Sequence, residues 1–139
     1  NPYQEYWGVD ILMKYIDIIN KKSIKMISLA DTIGNSTPEG IKKTYANVLK
    51  SFPLLDIGLH LHSKPKNSYD KISSGWNAGC RRFDTTISGY GGCPFAQDKL
   101  IGNIPTETLL NFIACNKLNH SLNPLAFESA SNQAKDIFN

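Results

Sequence analysis

The sequence predicts an α/β fold in which parallel strands pack against outer helices, and two observations carry that prediction. Segments with apolar residues at helical spacing alternate with short, mostly apolar runs that end in polar turns. The repeat length is about 30 residues, that of a strand–helix unit. A βα barrel and a doubly wound sheet satisfy this pattern equally, and in both the chemistry gathers at the C-terminal ends of the strands.

Val9, Leu12, Met13, Ile16 and Ile19 predict a helix from about Trp7 to Asn20, where a basic pair follows and the pattern stops. Ile24 to Ala30 reads as a buried parallel strand, and Asp31 to Thr37 as the polar turn after it. Thr37 is placed as an N-cap, with Pro38 at the first helical position and Glu39 at the positive end of the dipole. Ile41, Tyr45, Val48, Leu49 and Phe52 supply that helix's apolar face. The cycle then repeats with a strand from Ile57 to His62, a turn from Ser63 to Asn67 containing Pro65, and a helix carrying Tyr69, Ile72 and Trp76 that Gly79 ends. Arg82 to Ile87 is a third strand, followed by a glycine-rich loop from Ser88 to Asn103. Thr106 and Glu107 open a helix bearing Leu109, Phe112 and Ile113, and a last helix runs from Pro124 to Phe138.

Composition narrows the function classes. With 139 residues, 41% hydrophobic and 19% charged, the chain has material for one domain-sized core and no second. No apolar run approaches the roughly 20 residues of a membrane helix. The formal net charge of +3 is spread along the chain, which argues against a nucleic-acid binder. Cys80, Cys93 and Cys115 have no CxxC spacing, so neither a disulfide framework nor a structural zinc site is expected, and a reducing, cytoplasmic compartment is. The opening at Asn1, without Met or a charged-then-apolar leader, reads as the interior of a longer protein.

Strand ends direct attention to a few side chains. His60 and His62 are two apart on a strand, so they leave the same face and can reach one ion, while Leu59 and Leu61 face the helices. The alternative is a pair of strand-end histidines bonded to neighbours. Asp31 is either a site residue or a turn residue bonding its own backbone. Gly89, Gly91 and Gly92 surround Tyr90 ahead of Cys93-Pro94, which suggests a mobile loop carrying a thiol; Cys80 and Cys115 are expected to be small core residues.

Four motifs in register resemble 3-hydroxy-3-methylglutaryl-CoA lyase: Ser28-Leu29-Ala30-Asp31-Thr32-Ile33-Gly34, Leu59-His60-Leu61-His62, Gly89-Tyr90-Gly91-Gly92-Cys93-Pro94-Phe95-Ala96, and Gly102-Asn103 followed by Thr106-Glu107. The resemblance runs from Asn1 to about Leu110. It implies a (β/α)8 TIM barrel of the metallolyase superfamily that binds Mg²⁺ or Mn²⁺. His60, His62 and Asn103 resemble its metal ligands, with His60 sharing in proton transfer. Cys93 resembles the thiol of its flexible loop, Glu107 matches an acid beside that loop, and Ser28 and Asp31 match residues that line the substrate pocket. The implied reaction cleaves an acyl-CoA substrate, 3-hydroxy-3-methylglutaryl-CoA, to acetyl-CoA and acetoacetate.

The chain departs from the family where Ser63 replaces the usual Asp after the second histidine, and where the segment between Cys93 and Asn103 is longer and more charged. A TIM barrel takes about 250 residues, so residues 1–139 are expected to be the C-terminal portion of one barrel domain: its last three or so βα units plus a C-terminal helix. The first-strand Arg and Asp of the family are absent. Such a fragment is expected to be inactive alone and to pair with a second copy or with the missing half, which would cover the inward faces of Ile27, Leu29 and Ile57 or their neighbours. Two other readings stand beside the lyase: a Claisen-condensing synthase or aldolase of the same superfamily, and a non-catalytic assembly module.

Overall fold

A computed structural model describes residues 6–92 and 101–138. The chain runs through α1 (Val9–Lys21), β1 (Met26–Asp31), α2 (Pro38–Ser51), β2 (Asp56–Ser63), α3 (Pro65–Asn77), β3 (Phe83–Asp84), a 3-10 turn (Ile87–Gly89), β4 (Gly102–Asn103), α4 (Thr106–Cys115) and α5 (Pro124–Phe138). β1, β2 and β3 are parallel and lie in that order, and β4 pairs antiparallel with the end of β2. The sheet is open: among the described residues β1 has no neighbour on its outer edge. None of the described helices is long and apolar enough to cross a membrane.

Strand register decides which side is core. Ile27 lies beside Ile57 and Leu29 beside Leu59; Ile57, Leu59 and Leu61 are buried with Ile41, Tyr45, Val48 and Ile72. The Tyr45 hydroxyl donates to the Ile57 carbonyl at 2.6 Å, which ties α2 to β2. Helix α3 seats closely because Gly75 has no Cβ; one built there would lie 2.5 Å from a Leu59 methyl carbon and 3.0 Å from the Phe83 ring. This register corrects one expectation. Ile27, Leu29 and Ile57 face the helix layer, and the opposite side of β1 presents Met26, Ser28 and Ala30, all exposed.

Local chemistry explains where the elements begin and end. The Thr37 hydroxyl accepts from the Gly40 amide at 3.1 Å, so the expected cap of α2 is present. The expected turn over 63–67 is instead the start of α3: Pro65 occupies the first helical position, where its missing N–H has no partner to lose. The third strand is shorter than expected. After Asp84 the chain turns to the 104–106 segment, with the Thr86 amide donating to the Ile104 carbonyl at 3.1 Å and Thr106 N–H to the Thr86 carbonyl at 2.8 Å. Ser88, at φ 52°, then bends it into the 3-10 turn.

The glycine-rich segment has a packing reason on its described part. A Cβ on Gly89 would fall 2.8 Å from the Asn103 carbonyl oxygen, one on Gly91 3.0 Å from the Asn103 amide nitrogen, and one on Gly102 2.7 Å from the Gly89 oxygen. Close approach to Asn103 and between the Gly89 and Gly102 backbones, with φ of +69° at Gly89 and +83° at Gly91, accounts for glycine there. Residues 93–100, with the expected thiol loop, lie outside the described residues.

Candidate metal and substrate site

His60 and His62 leave the same face of β2, their ring centroids 5.3 Å apart and their planes inclined at 55°. His62 is 4% exposed, and among the described residues its buried Nδ1 has no hydrogen-bond partner. Burial, then the neighbouring His60, pushes the His62 pKa below its ordinary value, which keeps the imidazole neutral and its lone pair available. His60 is half-buried, and its Nδ1 lies 3.5 Å from the Asp84 carboxylate on the adjoining strand. A carboxylate on one imidazole nitrogen orients the ring so that the other nitrogen can face an ion.

β4 carries the third residue expected as a ligand. Its antiparallel register sets Asn103 opposite His62. The Asn103 amide nitrogen donates to the Tyr90 carbonyl at 2.9 Å, and the side-chain oxygen is the atom an amide offers to a cation. The two imidazoles and, by strand register, Asn103 thus share the end of β2, and a buried nitrogen without a partner is what a bound cation would satisfy. Among the described residues no three of His, Cys, Asp and Glu cluster as metal ligands, so the described donor set needs a further oxygen from elsewhere.

The remaining expected site residues divide. Ser28 lies on the histidine side of the sheet, donating to Asp84 at 3.1 Å and accepting from Arg82 Nη1 at 3.0 Å. Glu107 sits in the first turn of α4 and accepts from the Ser88 amide at 3.0 and 2.9 Å, fixing the start of the glycine segment. Asp31 ends β1 on the helix side, close enough to His62 for its charge to act on that imidazole. Its carboxylate accepts from the Asn35 amide at 3.1 Å, the Ser36 amide at 2.8 Å, the Ser36 hydroxyl and Lys71 Nζ at 3.2 Å. Burial acts to raise its pKa, but the Ser36 bonds and Lys71 hold it below the ordinary value. Asp31 also borders a cavity of about 400 Å³ with Trp7, Leu12 and Tyr45. Cys93 lies outside the described residues. The Cys80 thiol is fully buried and pushed up by that burial, as a core residue should be, whereas Cys115 is exposed at the end of α4, against expectation.

Sequence reasoning missed three residues here. Asp84 was visible only as an acid near a strand end, Arg82 as the residue before it, and Lys71 as a basic residue among Ser68, Ile72 and Gly75 on the buried stripe of α3. Arg82 lies over Gly58, where a Cβ would meet its guanidinium at 2.6 Å, and donates to the Ile27 carbonyl at 2.6 Å and to Asp56 at 3.3 Å.

The model of the HMGL-like family matches residues 5–133, spanning both histidines, Asn103 and Glu107. The chain belongs to the HMGL-like family. Similar proteins within reach of it are the (R)-citramalyl-CoA lyase of Chloroflexus aurantiacus, 36% identical over 85 residues that are 61% of this chain and 26% of the relative, and the cytoplasmic 3-hydroxy-3-methylglutaryl-CoA lyase of Homo sapiens, 34% identical over 70% of this chain and 26% of the relative. Among solved structures, an HMG-CoA lyase from Acinetobacter baumannii in complex with coenzyme A and 3-methylmalate matches with a TM-score of 0.80 at 29% identity, over 94% of this chain and 42% of that one. The Bacillus subtilis HMG-CoA lyase matches in fold with a TM-score of 0.88 at 24% identity, over 98% of this chain and 45% of that one. The chain therefore spans about a quarter of these curated relatives and less than half of these solved lyases. Its open sheet corresponds to part of an HMGL-like barrel.

Proposed function

We propose that this chain is the C-terminal part of a carbon–carbon lyase that cleaves 3-hydroxy-3-methylglutaryl-CoA to acetyl-CoA and acetoacetate, with Mg²⁺ or Mn²⁺ held by His60, His62 and Asn103. The observation that carries the reading is the imidazole pair, ring centroids 5.3 Å apart, with Asn103 in register opposite His62, whose buried Nδ1 has no partner among the described residues. Relatives that are lyases of CoA thioesters support it. A divalent ion held by these residues would supply positive charge to stabilise oxygen anions that develop on the substrate.

The cleavage breaks C2–C3 of the acyl group. The hydroxyl proton leaves, its electron pair forms the ketone of acetoacetate, the C2–C3 pair passes to the thioester as an enolate, and a proton at C2 completes acetyl-CoA. We assign His60 a share in the transfer of the hydroxyl proton, with the Asp84 carboxylate, 3.5 Å from its Nδ1, as the neighbouring acceptor. Glu107 holds the Ser88 amide and so sets the path of the segment that leads to Cys93, whose thiol we assign to delivering the proton at C2. Ser28 keeps Asp84 in place from the neighbouring strand. Asp31 is the substrate-binding residue that the resemblance assigns; its four contacts make the turn after β1 a rigid rim.

The rest of the barrel is the partner we assign to the outer edge of β1 and the exposed Met26 side of the sheet. The free thiols Cys80 and Cys115 suit a reducing, cytoplasmic location. The test is acetoacetate release by the full-length protein with Mg²⁺ or Mn²⁺ and its loss on chelation. A citramalyl-CoA substrate is the second reading, favoured by the relative at 36% identity, and parallel assays with both thioesters discriminate. Metal-independent turnover, or none with either thioester, would overturn the lyase proposal.

A further inference from the structure

Lys71 is a buried cation with a role that the reaction does not use. It projects from the core face of α3, 3% exposed. Its ammonium donates to the His62 carbonyl at 2.8 Å, to the Gly34 carbonyl at 3.0 Å and to the Asp31 carboxylate at 3.2 Å. An ammonium has three N–H bonds and no lone pair, so these partners use all of it, and no proton or nucleophilic electron pair is left for chemistry. What the group does is join the turn after β1 to the main chain of β2 at His62.

A second observation places that turn against the same peptide. Gly34, at φ +73°, lies so close that a Cβ there would sit 3.3 Å from the His62 carbonyl oxygen and 3.4 Å from its carbon. The turn therefore rests on His62 from above while Lys71 fastens it from α3. A buried ion pair contributes little net stability compared with apolar residues of similar volume, but it fixes registry among the groups it joins. Here those groups are a β-turn and the strand residue that carries the more buried imidazole.

We propose that Lys71 is a positioning residue, whose three hydrogen bonds lock the 31–36 turn onto the His62 peptide and thereby hold the His62 ring at the geometry a divalent ion requires. This inference rests on the metal reading of His60, His62 and Asn103. The experiment is calorimetric titration of the full-length protein with Mn²⁺, for wild type and Lys71→Met, with far-UV circular dichroism to establish that each is folded. The expected result is a folded variant whose Mn²⁺ affinity falls about 10–100-fold, as when a ligand loses its outer-shell support. Electron paramagnetic resonance of the bound Mn²⁺ should show an altered spectrum, which a merely structural lysine would not cause. If wild type and variant bind Mn²⁺ equally, the positioning role is wrong while the metal site stands; if wild type itself binds no Mn²⁺, both are wrong. Should Lys71→Met not fold, Gly34→Ala displaces the same turn without stranding a charge. The same fall in affinity is expected there, and unchanged binding would overturn the proposal.

Discussion

Replacing His62 with alanine separates folding from metal binding, because its two effects on stability oppose each other. The ring is buried, and losing a mid-sized buried side chain forfeits about 1.5–3 kcal/mol. The same substitution deletes the unpartnered Nδ1, and an unsatisfied buried polar atom costs about 1–3 kcal/mol. The two largely cancel, leaving a net change of no more than about 2 kcal/mol in either direction in the metal-free protein, a Tm shift within about 4–8 °C for a domain of barrel size. Metal-free protein is the right reference, since a bound ion would stabilise wild type by mass action and inflate the difference. Catalysis should respond quite differently: removing a ligand should reduce Mn²⁺-dependent acetoacetate release by more than the roughly 10–100-fold caused by losing an outer-shell partner. The assays are thermal unfolding of both metal-free proteins and steady-state turnover with saturating substrate. A metal-free destabilisation above about 3 kcal/mol together with retained turnover would make His62 a core residue and not a ligand.

Three further outcomes follow from the same structure. Cys93→Ala in the full-length protein should lower turnover by about 10²–10⁴, the usual worth of a positioned acid or base, with Mn²⁺ affinity unchanged in calorimetry; undiminished turnover makes the thiol a bystander. Asp31 has a carboxyl pKa held below its ordinary 3.8, so the folded state binds fewer protons than the unfolded state. Its stabilisation is complete above that value and is lost as pH falls through the depressed pKa, so urea midpoints should drop on acidification and Asp31→Asn should flatten that limb. An equally steep limb in the variant would assign acid sensitivity elsewhere. Gly75→Val should destabilise by about 1–3 kcal/mol through overpacking against Leu59 and Phe83, read as a lower Tm; an unchanged Tm would mean α3 sits less closely on the sheet.

The fold was legible wherever periodicity and capping chemistry agreed. Thr37-Pro38-Glu39 marked the start of α2 to the residue, and the alternation in Ile57–His62 put the leucines toward the helices and both histidines on the other face. Reading failed where tertiary pairing overrode local signals. Pro65 reads locally as a turn residue, yet it is equally suited to the first helical position it occupies. Thr85 and Thr86 have high strand propensity, but Thr86 pairs with the segment before α4 instead of extending β3. The antiparallel bridge of β4 to His62 is two residues long and has no periodicity to read, yet it delivers Asn103. The site showed the same division. The histidine spacing was visible, whereas Asp84 beneath His60 and Lys71 beneath His62 are contacts between distant parts of the chain that no spacing encodes.

The central claim is that His60, His62 and Asn103 bind one divalent ion. A crystal structure of the full-length protein grown with Mn²⁺, with anomalous data collected at the manganese edge, measures this directly. One strong anomalous peak is expected at the C-terminal end of β2, within coordination distance of an imidazole nitrogen of each histidine and of Asn103 Oδ1. A map with no peak between those three side chains, or with manganese bound elsewhere in the barrel, would contradict it.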